Sequence, residues 1–471
     1  MPFCMGKKAG ETMDLKYRLV RFWLKKRRVR LSPTQTIAIA FLAIILVGTL
    51  LLALPAASKS GQSAGLMGSL FTATSATCVT GLVLYDTWSQ WTLFGQGVIL
   101  CLIELGGLGF MTAASLVIFL FRRRIGLRQR MVMAQSMSVS DMEGVVRLQK
   151  GALIGSLAVQ AAGALILFLR FLPQAGPVKA AWWGVFHAVS AFCNAGFDIF
   201  GSIAPGSSVI VFQSDPVVCL TLMVLIVVGG LGFFVWEDML LRRRFKRFSV
   251  YTRLVLLTTL TLILAGALGF CLLEWNNPGT LGKLSVGDKI MGGFFQSVTV
   301  RTAGFAAVDQ AKLTEAGKAL SIFLMFIGGS SGSTAGGVKT VTIVVLALFL
   351  WTRARGRQTV SVFRRTIPQE KVMDAAAIVT IMVMLAFFGG MFVSATSGIS
   401  LTDSLFETVS ALATVGLTAG ATGSLTLPAQ ILIIIYMYFG RVGVLTISLG
   451  FLMGNRAEER FQYAQTNLLI G

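Results

Sequence analysis

Four stretches of this chain are copies of one another, and that recurrence limits the fold more than any other feature. Residues 68–84, 183–200, 292–308 and 404–420 each place a phenylalanine ten residues before a glycine: Phe71 and Gly81, Phe186 and Gly196, Phe294 and Gly304, Phe406 and Gly416. A large apolar residue follows each glycine: Leu82, Phe197, Phe305 and Leu417. Ser75, Ser190 and Ser410 stand six residues before three of the glycines, and Val298 stands there in the third copy. The glycines lie 115, 108 and 112 residues apart, as expected of one structural unit used four times.

Each copy is too short and too polar to cross a bilayer, but the runs on either side are long enough. A transmembrane helix needs about 20 apolar residues, and spans are predicted over 37–56, 94–121, 153–172, 217–241, 254–273, 319–350, 376–393 and 428–453. Only 13% of the 471 residues are charged, against about 25% in soluble domains. The expected fold is therefore an all-α integral membrane protein. It has four fused helix–pore-loop–helix repeats, eight transmembrane helices in all, around a pseudo-fourfold pore. The repeats are expected over 34–130, 145–247, 250–357 and 371–454, between a basic N-terminus (1–33) and a tail (455–471).

The formal net charge is +21, and its placement excludes nucleic acid as the reason for it. Lys25-Lys26-Arg27-Arg28 with Arg30, Arg122-Arg123-Arg124, Arg242-Arg243-Arg244 with Lys246-Arg247, and Arg353, Arg355, Arg357 with Arg364-Arg365 all flank predicted spans. This is the positive-inside pattern, with lipid headgroups as the partner. It puts both termini, and Arg456 and Arg460, on the cytoplasmic side of a multi-pass plasma (inner) membrane protein. Cys4, Cys78, Cys101, Cys193, Cys219 and Cys271 have no metal-ligand spacing and read as buried small hydrophobes. No transition-metal site is expected. HExxH and a strand-borne GxGxxG are missing, so neither an enzyme nor an organic cofactor is expected.

Irregular backbone at membrane depth must be buried in protein or line a water-filled path. Four related loops would meet at one such path, and glycine lets their carbonyl oxygens turn inward. Rings of carbonyls replace the hydration shell of a monovalent cation. The expected ring is Val79-Thr80-Gly81, Asn194-Ala195-Gly196, Thr302-Ala303-Gly304 and Thr414-Val415-Gly416. Asp86, Asp198 and Asp309 follow three of the glycines and would concentrate cations at an outer vestibule.

The segments TSATCVTGL, SAFCNAGF, VTVRTAGF and SALATVGL resemble the four selectivity-filter segments of the Trk/Ktr/HKT superfamily of potassium transporters, and ELGGLGFMT resembles the segment after the first. With eight spans the chain is most similar to the KtrB branch. The resemblance implies dehydrated K+ as the transported ion, because glycine holds all four deciding positions, with Na+ as a candidate second ion. It also implies a homodimer seated on a cytosolic ring of nucleotide-binding KtrA-type subunits, in a regulated uptake system. The function so implied is a channel-like potassium-translocating subunit. The alternative is a secondary transporter coupling potassium to Na+ or H+, for which Glu104 is the clear carboxylate well inside a predicted span. Glu104 departs from the amide associated with that position in relatives.

The third copy is followed by Gly328, Gly329, Ser330, Ser331, Gly332, Ser333, Thr334, Ala335, Gly336 and Gly337. Each interior glycine costs about 1 kcal/mol of helix propensity relative to alanine, so the helix is expected to break there. Relatives place their gate at this loop, and a tightly packing helix is the alternative. Arg441 lies inside the last span, at a cost of at least about 2.5–3.5 kcal/mol. It reads as an electrostatic barrier in the pore, or as an ion pair fixing helix packing. Arg301 and Glu407 are expected to brace neighbouring pore loops as a buried pair, and His187 to be a packed pore-helix residue.

Overall fold

The computed structural model describes residues 32–109, 131 and 145–443. The basic N-terminus, Arg122–Arg124, Cys4 and the tail with Arg456 and Arg460 lie outside the described residues.

Helix starts follow local chemistry. Ser32 opens α1 (Pro33–Leu52) with a capping box, its hydroxyl accepting from Gln35 N while Gln35 Oε1 accepts from Ser32 N. Serines also cap α8 (Val250–Glu274), α9 (Val286–Thr299) and α13 (Leu401–Leu412). The other helices of ten or more residues among the described residues are α2 (Leu66–Thr77), α3 (Leu93–Gly107), α4 (Val145–Ala175), α5 (Pro177–Phe192), α6 (Pro216–Leu231), α7 (Phe233–Arg242), α10 (Glu315–Phe326), α11 (Thr340–Ala354), α12 (Gln369–Ser397) and α14 (Leu427–Val442). A two-residue hairpin, Ser361–Val362 with Arg365–Thr366, joins α11 to α12.

Each short helix that leads into a glycine segment packs on the long helix before it: α2 on α1, α5 on α4, α9 on α8 and α13 on α12. The helix after each segment then packs on the next short helix: α3 on α5, α6 on α9, and α10 on α13. The last helix, α14, returns to α2, so the sequence of contacts closes on itself.

Among the described residues, α1, α4, α8 and α12 are long and apolar enough to cross a membrane, and α6 with α7 would make a fifth span bent by 91°. The helices α3, α11 and α14 are apolar but shorter. Sequence reasoning expected unbroken spans over 94–121, 217–241 and 428–453. The structure instead bends the second of these at Gly232 (φ 91°), between α6 and α7; α3 ends just before Gly109 (φ 83°) and α14 at Gly443 (φ 93°), and residues 110–121 and 444–453 lie outside the described residues. Side chains with a Cβ avoid that region, so the interruption is not peculiar to the third copy.

Leu257, Leu260, Leu264, Leu268 and Leu272 of α8 are exposed, as are Met384, Phe387, Phe388 and Met391 of α12. Apolar patches of this kind suit lipid rather than water. The buried interior carries many hydroxyls instead, among them Thr72, Thr74, Ser75, Thr77, Thr80, Thr408 and Thr414. Cys78, Cys193 and Cys219 are buried as expected, whereas Cys101 is exposed and Cys271 half-buried, because both lie on outward helix faces.

Candidate site: a ring of four glycine segments

Each short helix ends in the same backbone figure. Val79, Asn194, Thr302 and Thr414, two residues before each glycine, all have positive φ (56°, 60°, 69° and 52°). Gly81, Gly196, Gly304 and Gly416 follow with φ of 97°, 71°, 78° and 91°. Non-glycine residues are uncommon in the left-handed region, so four at matched positions mark a conformation imposed by the surroundings.

The four segments touch one another in order. A Cβ on Gly81 would meet the carbonyl oxygen of Ala195, and one on Gly196 would lie 2.9 Å from that of Ala303. A Cβ on Gly304 would lie 2.5 Å from the Val415 oxygen, and one on Gly416 would meet the Thr80 oxygen, which closes the circuit. Each glycine therefore abuts the carbonyl of the residue preceding the next glycine, and only glycine permits the approach.

Hydroxyls hold the segments in shape. Ser75 Oγ accepts from Gly81 N (3.0 Å) and Ser410 Oγ from Gly416 N (3.1 Å). Ser190 and Ser410 donate to the carbonyls of Phe197 and Leu417, both at 2.7 Å. In the third copy, Thr299 donates to the Phe305 carbonyl at 2.6 Å. Sequence alignment put Val298 at the serine position and missed Thr299, because the hydroxyl sits one residue nearer the glycine. The Asn194 amide donates to the carbonyls of Ala191 (3.0 Å) and Ile226 (3.2 Å), and its other end faces the Thr302 hydroxyl at 3.4 Å.

His187 stacks on Phe200 at 3.8 Å, and its Nε2 accepts from Ile199 N. Its Nδ1 then donates to the Trp183 carbonyl at 2.7 Å, which makes it a neutral, packed residue. Asp86, Asp198 and Asp309 are each half-buried and hydrogen-bonded to backbone amides. Asp86 accepts from Ser89 N and Gly206 N, Asp198 from Phe200 N, and Asp309 from Ala311 N beside Lys312 (2.8 Å).

Residues 328–337 form a loop, not a tightly packing helix. Its ends are joined by Gly328 N donating to Val338 O (2.9 Å) and Thr340 N to Gly329 O (3.1 Å). Ser330 N and Thr334 N donate to the carbonyls of Gly230 and Gly229, where α6 breaks, and Phe233 N donates to Gly332 O. Thr334 Oγ1 reaches the Phe192 carbonyl at the end of α5. A Cβ on Gly336 would strike the Thr414 hydroxyl, so the loop lies directly against the fourth segment.

Gly106, Gly229 and Gly440 occupy matched places in the helices after the first, second and fourth segments. Each sits against a carbonyl at the end of a short helix, that of Thr77, Phe192 or Leu412. In the third copy Gly328 sits against Gly336 of the loop instead.

Three side chains converge on the loop. Arg441 donates to the carbonyls of Thr334, Gly106 and Gly107. Lys339 Nζ donates to Ala335 O (2.8 Å) and Tyr251 OH to Ser331 O (2.8 Å). Sequence reading named Arg441 but missed Lys339 and Tyr251, whose partners are backbone carbonyls that carry no residue signature. Glu104 takes hydrogen bonds from Gln160 Nε2 (3.1 Å) and Cys193 Sγ (3.3 Å).

The expected Arg301–Glu407 pair does not form. Glu407 is filled by Thr418 Oγ1 (2.5 Å), Ala419 N (3.0 Å) and Thr422 Oγ1 (2.6 Å), all from its own copy. No ion pair joins it to Arg301 among the described residues. Nor, among them, does any group of His, Cys, Asp and Glu have the arrangement of a metal site.

A family model described as TrkH, cation transport protein, matches residues 22–460. The potassium/sodium uptake protein NtpJ of Enterococcus hirae is 39% identical over 454 residues, covering 95% of this chain and 99% of its own. The Ktr system potassium uptake protein B of Bacillus subtilis is also 39% identical, over 92% of this chain and 96% of its own. The crystal structure of the potassium transporter TrkH from Vibrio parahaemolyticus aligns with a TM-score of 0.69 at 18% identity. It covers 90% of this chain and 86% of that one, a likeness of fold.

Proposed function

Because this chain belongs to the TrkH family of cation transport proteins, we propose that it is the channel-like, potassium-translocating subunit of a regulated uptake system. The four fused units, over 34–130, 145–247, 250–357 and 371–454, surround a pseudo-fourfold pore. Potassium passes dehydrated through a filter made by Val79–Gly81, Asn194–Gly196, Thr302–Gly304 and Thr414–Gly416. The observation that carries this reading is the closed circuit of glycines and carbonyls, Gly81 to Ala195, Gly196 to Ala303, Gly304 to Val415 and Gly416 to Thr80. Such a ring substitutes oxygen for the hydration shell of a monovalent cation.

The loop from Gly328 to Gly337 is the gate, and Arg441 is the electrostatic barrier beside it. Support comes from the contact of Gly336 with Thr414 and from the bonds of Arg441 to the loop. Asp86, Asp198 and Asp309 form the outer vestibule. The name of the Bacillus relative, a Ktr system protein, supports a system with partner subunits; the reading adds a homodimer on a cytosolic nucleotide-binding ring of KtrA type, with the chain in the plasma membrane and both termini cytoplasmic. The name of the Enterococcus relative supports sodium as a second ion.

Rubidium uptake into liposomes holding the purified chain, competed by potassium, sodium and lithium, tests the reading. Potassium should compete best. Uptake indifferent to potassium, or strictly coupled to proton or sodium entry, would favour an ion-coupled transporter.

A further inference from the structure

Among the described residues, the buried charges are satisfied with one exception. Asp215 pairs with Arg170 at 2.7 Å, Lys318 with Asp403 at 2.7 Å, and Glu274 accepts from Thr314, Thr280 and Asn277. Glu407 has three donors, as above. Arg301 is only 9% exposed, yet among the described residues its side chain makes no hydrogen bond or ion pair, and Nε is fully enclosed.

The guanidinium borders a crevice of about 20 Å³ shared with Ile226, Gly230, Thr259, Ile263, Val298 and Gly329. A single water needs about 10–15 Å³ by the same kind of measure, so the space suits one small ion and excludes an organic carboxylate. No acidic side chain lines it. The carbonyls of Gly230 and Gly329 already accept from Ser330 N and Thr340 N. The walls are largely apolar, with the Thr259 hydroxyl as the other polar side chain, so a water there would leave the guanidinium charge uncompensated. A desolvated guanidinium demands a counter-charge as well as acceptors.

We propose that this crevice binds a small monovalent anion, chloride, against Arg301. The site lies where α6, α8 and the end of α9 meet the Gly329 end of the loop. Arg301 directly precedes Thr302, so a bound anion would join the third glycine segment to the loop through one charge. The proposal does not rest on the conduction reading, because its test measures an anion and no cation flux.

The experiment is radioactive chloride binding to the purified full-length chain in detergent, with gluconate as the counter-anion. Saturable binding, displaced by bromide and lost in Arg301→Gln, is expected. No saturable binding by the unmodified chain, or equal binding by Arg301→Gln, would overturn the site. Should the variant fail to fold, crystals of the unmodified chain grown in bromide decide the matter. An anomalous peak beside the guanidinium supports the proposal, and water density alone there contradicts it.

Discussion

The guanidinium of Arg441 donates through Nη1 to the carbonyl of Thr334, a residue 107 positions earlier in the chain. Through Nη2 it also reaches the carbonyls of Gly106 and Gly107, the last residues of α3. Carbonyls at a helix C-terminus lack intrahelical donors and carry the negative end of the helix dipole. A cation at this place therefore satisfies three acceptors, and it fastens the loop to the helix that follows the first glycine segment.

Arg441→Ala should free the loop and raise the initial rate of rubidium uptake. Each buried carbonyl left unpaired costs about 1–3 kcal/mol. Arg441→Lys should fall between, because an ammonium cannot bridge the three carbonyls as a planar fork does. The check is uptake together with thiol labelling of a Ser331→Cys reporter. Unchanged rate and labelling in a folded Arg441→Ala protein would contradict the tether.

Gly304→Ser should weaken discrimination of potassium from sodium. Its Cβ would lie 2.5 Å from the Val415 oxygen and 3.0 Å from the Gly196 Cα, so two neighbouring segments must shift. Competition of rubidium uptake by sodium reads the effect, and unchanged competition would count against this glycine as part of the filter.

Thr299 makes a narrower prediction. Removing the hydroxyl that holds the Phe305 carbonyl, as in Thr299→Val, should cost about 1 kcal/mol of stability and loosen selectivity, while Thr299→Ser should preserve both. Thermal unfolding and uptake competition measure the two effects. Equal behaviour of the valine and serine variants would show that the hydroxyl is idle.

The pair between Lys318 and Asp403 (2.7 Å), at the starts of α10 and α13, sets a pH dependence. Burial pushes the Asp403 carboxyl up, but the Lys318 ammonium and the Ser400 hydroxyl outweigh it and hold it below the usual carboxylate range. Burial likewise opposes the charge of Lys318, whose pKa is nevertheless raised by Asp403 and Glu315. A depressed carboxyl gives stability that is present above its unfolded pKa of about 3.9 and lost as pH falls further; a raised lysine gives stability lost above its unfolded value of about 10.4. The contribution should be flat between those limits and screened by salt. Asp403→Asn should flatten the acid limb of unfolding temperature against pH, and an unaltered limb would contradict the pairing.

The recurring glycines and the serines before three of them were legible in the sequence because they repeat in register, whereas Thr299, one residue out of register, was not; the apolar runs located the helices between them. The closing of Gly416 onto Thr80 was not legible, since it joins distant segments through backbone oxygen. The bend at Gly232 and the end of α14 at Gly443 were hidden because hydropathy reads a glycine within an apolar run as more of the same helix, and only the backbone angle shows them. Arg301 and Glu407 looked like partners by charge alone, yet Glu407 finds closer hydroxyls in its own copy.

The ring itself is tested most directly by rubidium or thallium anomalous scattering from crystals of the intact chain. Peaks are expected on the axis enclosed by the carbonyls of Thr80, Ala195, Ala303 and Val415, weakened by excess potassium and spared by lithium. Scattering that avoids this ring while the protein still takes up rubidium would contradict it.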